Sequence, residues 1–223
     1  MNESIQSLFH LQNQFPLDEQ LADKHPVYLI TNPHSLCKNK IENLCDQVSS
    51  KRRKQFMQES KKINNVDSSV NIFYSKIHPM ISIVPQIHRS EIDLNRNISM
   101  NTFHFFIFEY ILSKYPEIIL LDIHSYPKDT EWGGGKANND TDLVILYPDN
   151  ENTLIIIKLL QQYLEENNFS VVLIKGGENT LINYATAEGH LAMLLEFPDH
   201  GDDHRASNLI DHILIFLNNS SNP

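Results

Sequence analysis

Apolar positions along the chain alternate between short dense runs and longer stretches with helical spacing. VYLITNP (27–33) is an apolar run ended by proline, and the polar stretch from 39 to 63 is helical in character. MISIVPQIHR (80–89) reads as a strand in which Pro85 marks an edge or a bulge. Phe103 to Lys114 is spaced as a helix and stops at Tyr115-Pro116. EIILLDIH (117–124) and TDLVILYP (141–148) are buried strands, followed by a helix in TLIIIKLLQQYLEENN (153–168) and a strand in FSVVLIKGG (169–177). HLAMLLEFP (190–198) is a last strand and Arg205 to Asn218 a last helix, with a frayed tail to Pro223. No internal repeat is visible. The alternation predicts one α/β domain over residues 1–223, a three-layer sandwich around a central mixed, largely parallel sheet.

In such a sheet functional residues collect past the carboxyl ends of strands. Three apolar strands here end that way: one leads to His34, one to His124, one to Glu196. Singly, each is as readily a hydrogen-bonded strand-end residue or an ion-pair partner. Together, two histidines and an acid form a candidate metal site, because catalytic zinc takes three protein ligands of this type and keeps a place for water. Asp122 lies two residues before His124 and so shares its face on a strand. It either orients a histidine or caps a helix.

Composition narrows the function classes. The chain has 223 residues, 28 acidic and 18 basic, a formal charge of −10. That balance argues against a general binder of nucleic acid or anionic membrane, which needs a basic face. The run Lys51-Arg52-Arg53-Lys54 reads as a solvated helix face. Cys37 and Cys45 make no disulfide framework. The polar start MNESIQSLFHLQNQF lacks a signal pattern, and no apolar run is long enough to span a bilayer. The expectation is a cytoplasmic protein, with signal-independent export left open.

HRSEIDLNR (88–96) resembles a segment of the N-formylglutamate amidohydrolase family, through Arg89, Asp93, Leu94, Asn95 and Arg96. Other patches follow in that family's order. Asn32-Pro33-His34-Ser35 is similar to its Pro-His segment, and VDSSVNIFY (66–74) to its aspartate-led helix. Leu121-Asp122-Ile123-His124-Ser125 is similar to its Asp-x-His-Ser segment, Lys175-Gly176-Gly177 to a substrate-side glycine loop, and LLEF (194–197) to its late strand ending in glutamate. The resemblance implies a zinc carboxypeptidase/phosphorylase-hydrolase-like fold and one Zn2+ per chain held by His34, Asp67 and His124. It also implies Glu196 as general base. Arg89, Asn95 and Arg96 would then bind a substrate carboxylate or an oxyanion, with Lys175, Gly176 and Gly177 beside the substrate. The residues themselves leave alternatives. Asp67 also suits a helix N-cap, Cys37 competes for the metal through the spacing His34-x-x-Cys37, and Arg96 suits a surface ion pair.

The implied activity is zinc-dependent cleavage of an amide bond in a small substrate with a free carboxylate, an N-acyl amino acid such as N-formylglutamate or a short peptide. The rival is a binding module on the same fold that keeps the arginine clamp without turnover. The stretch EWGGGKANNDTD (131–142) lacks the spacing of a phosphate loop. It reads instead as a flap with Trp132 as a lid contact. Neither a nucleic-acid partner nor a membrane partner is expected, and the pattern is silent on oligomeric state.

Overall fold

A computed structural model describes residues 26–32, 47–57, 61–67, 70–74, 79–83, 103–127, 130, 140–176 and 180–220. For residues 47, 61–67, 70–74, 79 and 103–108 it describes the backbone alone.

Among the described residues eight strands form one sheet. In chain order the elements are β1 (Val27–Thr31), α1 (Gln47–Phe56), β2 (Lys61–Asp67), β3 (Val70–Tyr74), β4 (Pro79–Ile83), α2 (Phe103–Lys114), β5 (Ile118–Tyr126), β6 (Leu143–Tyr147), α3 (Glu151–Glu166), β7 (Val171–Lys175), α4 (Leu181–Ala187), β8 (Leu191–Pro198) and α5 (Asp203–Ser220). The strand order across the sheet is β2-β3-β4-β1-β5-β8-β6-β7. The four middle strands β4, β1, β5 and β8 run parallel. On one flank β3 is antiparallel to β4 and β2 to β3. On the other, β6 is antiparallel to β8 and carries β7 parallel to itself. The architecture is the expected mixed α/β sheet, with a parallel centre and antiparallel joins on both sides.

Helices cover both faces, which is why the middle strands are apolar on alternate and intervening positions alike. One face of the sheet, with Leu29, Leu120 and Leu194, packs on Ile111, Leu112 and Tyr115 at the end of α2 and on Leu181, Ile182 and Ala185 of α4. The other, with Ile30, Leu121, Met193 and Leu195, packs on Phe56 of α1, on Ile157, Leu160 and Leu164 of α3, and on Leu209, Ile210 and Ile213 of α5. α3 starts where the Asn150 side chain accepts from the Thr153 backbone N–H at 3.0 Å. It ends at Asn168, held left-handed at φ 67°. There the N–H of Phe169 reaches the carbonyl of Leu164 and that of Asn168 the carbonyl of Glu165. No described helix is long and apolar enough to cross a membrane.

Three expectations are corrected. The stretch read as helical from 39 to 63 is helical over Gln47–Phe56, but from Lys61 it belongs to a hairpin, as does the segment read as an aspartate-led helix: β2 runs to Asp67 and pairs it with Val70. The β-branched and aromatic residues Val70, Ile72, Phe73 and Tyr74 prefer a pleated surface, and Asp-Ser-Ser suits a strand connection. Asp67 therefore caps no helix. The basic run is a solvated face only in part. Lys51 and Lys54 are exposed, but Arg53 is half-buried and Arg52 is 1% exposed. Ser49, Arg52, Arg53 and Phe56 stand at i, i+3, i+4 and i+7, the core-facing positions of a helix. Arg52 Nη1 pairs with Asp203 Oδ1 at 3.0 Å and donates to Gln55 Oε1 at 3.0 Å. Arg53 Nη1 donates to Ser82 Oγ at 3.0 Å, and burial lowers its pKa.

Candidate functional site

β5 carries Asp122, His124 and Tyr126 on alternate positions of the face that packs under α2 and α4, continuing the row begun by Ile118 and Leu120. The apolar half of the strand anchors it; the polar half lies beyond at its carboxyl end. β8 does the same, with Ala192 and Leu194 leading to Glu196. Because β5 and β8 are parallel and in register, His124 and Glu196 are direct cross-strand partners, about 4.8 Å apart at the backbone. His124 is 3% and Glu196 9% exposed.

Asp122, fully buried, sits behind the histidine. Its Oδ2 is 3.0 Å from His124 Nε2, and its Oδ1 accepts from Thr31 Oγ1 at 2.6 Å. Thr31 is its in-register partner on β1. Asp122 lies mid-strand, so of the two roles open to it the structure selects orientation of His124 over helix capping. A carboxylate accepts only, so Nε2 is the nitrogen that donates to it, and in a neutral ring the lone pair is then on Nδ1. The electrostatic reach of Glu196 shows in Tyr126: its pKa is pushed up to about 12, first by burial, then by the charges of Glu196, Asp142 and Asp199. The phenol donates to the Thr141 carbonyl at 3.2 Å, tying the end of β5 to the approach of β6.

Other residues expected at the site lie elsewhere. One register row runs Asp67, Val70, Ile83, Thr31, Asp122. Four strand spacings separate Asp67 from β5, about 19 Å at roughly 4.8 Å each. An aspartate and a histidine together cannot bridge that gap to share one metal ion, so the structure does not bring Asp67 to His124. Lys175 and Gly176 are also displaced. β7 runs against β8, so its carboxyl end emerges at the opposite edge of the sheet. Lys175 aligns with Tyr147, three residues along β6 from the partner of Glu196. Its Nζ pairs with Asp149 Oδ2 at 2.8 Å in solvent, and that hydrogen bond is what chiefly raises its pKa. Gly176 has a packing reason: its N–H donates to the Tyr147 carbonyl at 2.8 Å, and a Cβ would stand 3.2 Å from that oxygen and 3.3 Å from Ile182. His34, Cys37, Arg89, Asn95, Arg96, Trp132 and Gly177 lie outside the described residues.

Among the described residues no group of three or more histidine, cysteine, aspartate or glutamate side chains is arranged to hold a metal ion. What they offer a metal is one oriented histidine beside one buried carboxylate. Thr31 is the contributor that sequence reading missed. Its signal was faint: a hydroxyl at the last position of an apolar strand, three residues before His34.

No known protein family matches the chain, and neither does any curated protein. Solved structures share its fold. The gene product Atu2144 from Agrobacterium tumefaciens aligns with a TM-score of 0.55 and 10% identity over 89% of this chain and 92% of that one. The mDAP-bound form of Helicobacter pylori Csd4, a D,L-carboxypeptidase, aligns with a TM-score of 0.59 and 12% identity over 93% of this chain and 53% of that one. The tripeptide-bound form of Csd4 gives the same TM-score and identity over 94% and 54%. The chain thus spans about half the length of Csd4, and at these identities the likeness is one of fold.

Proposed function

We propose that the chain is a zinc-dependent hydrolase of amide bonds in small substrates that carry a free carboxylate, an N-acyl amino acid or a short peptide. The observation that carries this reading is the in-register pair His124 and Glu196 at the carboxyl ends of β5 and β8, with Asp122 behind the histidine. The donor set suits zinc: His124 offers Nδ1, and His34 follows β1 by three residues. The third place goes to Cys37 in this reading rather than to Asp67, because thiolate is a good zinc donor and Asp67 lies four strands from β5. Bound there, zinc would bring the pKa of a water down to about 7 and polarise the scissile carbonyl.

The chain's own groups do the rest. Glu196 takes a proton from the attacking water and passes it to the leaving nitrogen. Asp122 holds His124 in one tautomer and orientation. Arg96 and Asn95 would bind the substrate carboxylate, for which a guanidinium is a bidentate partner, and Arg89 would stabilise the developing oxyanion. The resemblance to N-formylglutamate amidohydrolases supports the N-acyl amino acid. The fold likeness to Csd4, solved with a tripeptide and with mDAP, supports the short peptide.

The test is elemental analysis of the purified chain, followed by assay against formyl- and acetyl-amino acids and short peptides. About one zinc per chain with turnover of one of these is expected. A chain that binds such carboxylates with no zinc and no turnover is the binding module, and the enzymatic reading falls.

A further inference from the structure

We infer that Thr31 is a positioning residue that sets the tautomer of His124 through Asp122, and so couples the strand leading to His34 with the strand carrying His124. The inference rests on the reading of His124 as a metal ligand. Thr31 and Asp122 are in-register neighbours on parallel β1 and β5, and both are buried. Their bond of 2.6 Å lies in the short range of a hydroxyl donating to a carboxylate. With Oδ1 occupied by that hydroxyl, Oδ2 is the oxygen turned to His124, and Nε2 meets it at 3.0 Å. Each link orders the next. The threonine fixes the plane of the carboxylate, and the carboxylate fixes which ring nitrogen keeps its proton. In a neutral ring the lone pair is then on Nδ1. Thr31 also ends the strand whose next residues are Asn32, Pro33 and His34. Asn32, on the opposite face, accepts from Ser49 Oγ of α1 at 3.2 Å, so β1 is pinned on both sides just before His34.

The test uses the full chain, metal-free and 15N-labelled on histidine, with His124 assigned by difference against His124→Gln. Long-range proton–nitrogen spectra distinguish the two tautomers. The wild type is expected to show His124 with its proton on Nε2 alone. Thr31→Val keeps the shape and loses the donor; it should spread the signals over both tautomers and weaken zinc roughly tenfold or more in chelator competition. Thr31→Ser should restore both readings. A Thr31→Val protein that matches the wild type in tautomer and zinc affinity overturns the inference, as does a folded Thr31→Ser protein that fails to restore them. If Thr31→Val does not fold, Asp122→Asn replaces it: a second tautomer is expected, and a wild-type spectrum overturns the relay. A wild type that takes up no zinc removes the metal reading, while the tautomer spectra still judge the relay.

Discussion

The two sides of β8 make opposite use of the same sequence device. On one side β5, parallel to β8, brings His124 level with Glu196, so two apolar strands each ending in a reactive side chain yield one site. On the other side β6 is antiparallel, and with it β7, so the apolar run that ends in Lys175-Gly176 delivers those residues to the far edge. The same holds at the opposite flank, where β2 ends in Asp67 at the right level but four strands out. A strand end becomes part of a site only when both direction and neighbour are right, and neither is written in the strand itself.

The largest effect that separates the two sides is expected from Glu196→Gln. The amide keeps the shape but cannot take a proton at neutral pH. Turnover should fall by roughly two to four orders of magnitude. The melting temperature and zinc content should stay near wild type. Equal activity would take Glu196 out of the mechanism; loss of zinc would make it a ligand.

The proposed carboxylate clamp gives the next effect. A bidentate guanidinium–carboxylate contact contributes on the order of a hundredfold in binding. An active N-acyl amino acid should therefore be turned over far better than its methyl ester, and Arg96→Lys should narrow that gap. Ester and acid handled alike would remove the clamp. In the same experiment series, zinc content tests the flank: His124→Ala and Cys37→Ala should lose metal and Asp67→Ala should keep it. Zinc lost from Asp67→Ala would mean that the sheet brings β2 closer to β5 than its register allows.

How far this could be read from the sequence follows from what local pattern encodes. The apolar runs of β1, β5 and β8 were visible, as were the residues at their ends, because burial on both faces leaves a dense signature. Strand direction leaves none: VVLIK reads the same whether β7 runs with β8 or against it. The segment around Asp67 does not read as a hairpin because polar Asn64, Asn65, Ser68 and Ser69 mask the alternation of its few apolar residues. α4 escaped notice because seven residues hold too few turns for a helical period to show. The arginines of α1 read as solvated by their charge, but their position in the helix turns them to the core. An arginine stem fills a core-facing slot when its head finds a partner, and Asp203 supplies one.

That partner gives a smaller, pH-dependent effect. Hydrogen bonds and charges from Lys51 and Arg52 hold the Asp203 carboxyl below its ordinary range. A folded pKa below the unfolded one means the contribution is complete above about pH 4, the unfolded value, and fades as pH falls through the depressed one. Asp203→Asn should destabilise the fold by at most about 1 kcal/mol at neutral pH, because the carboxylate facing Arg52 is 54% exposed and its attraction is screened by water. The difference from wild type in urea unfolding should shrink below pH 4. A difference that grows with acid would place the effect elsewhere.

The smallest effect is the sharpest check on the comparison. Lys175 matches the substrate-side loop by sequence but stands at the far edge of the sheet, exposed and paired with Asp149. An ion pair in solvent contributes at most about 1 kcal/mol. Its distance along and across the sheet from Glu196, about 14 Å by strand spacing and rise, is too great for contact with a substrate held there. Lys175→Ala should therefore leave KM and kcat within about twofold of wild type and stability nearly unchanged. A KM raised tenfold with stability intact would bring the β7 end to the substrate after all, and the antiparallel join of β6 to β8 would no longer explain which strand ends build the site.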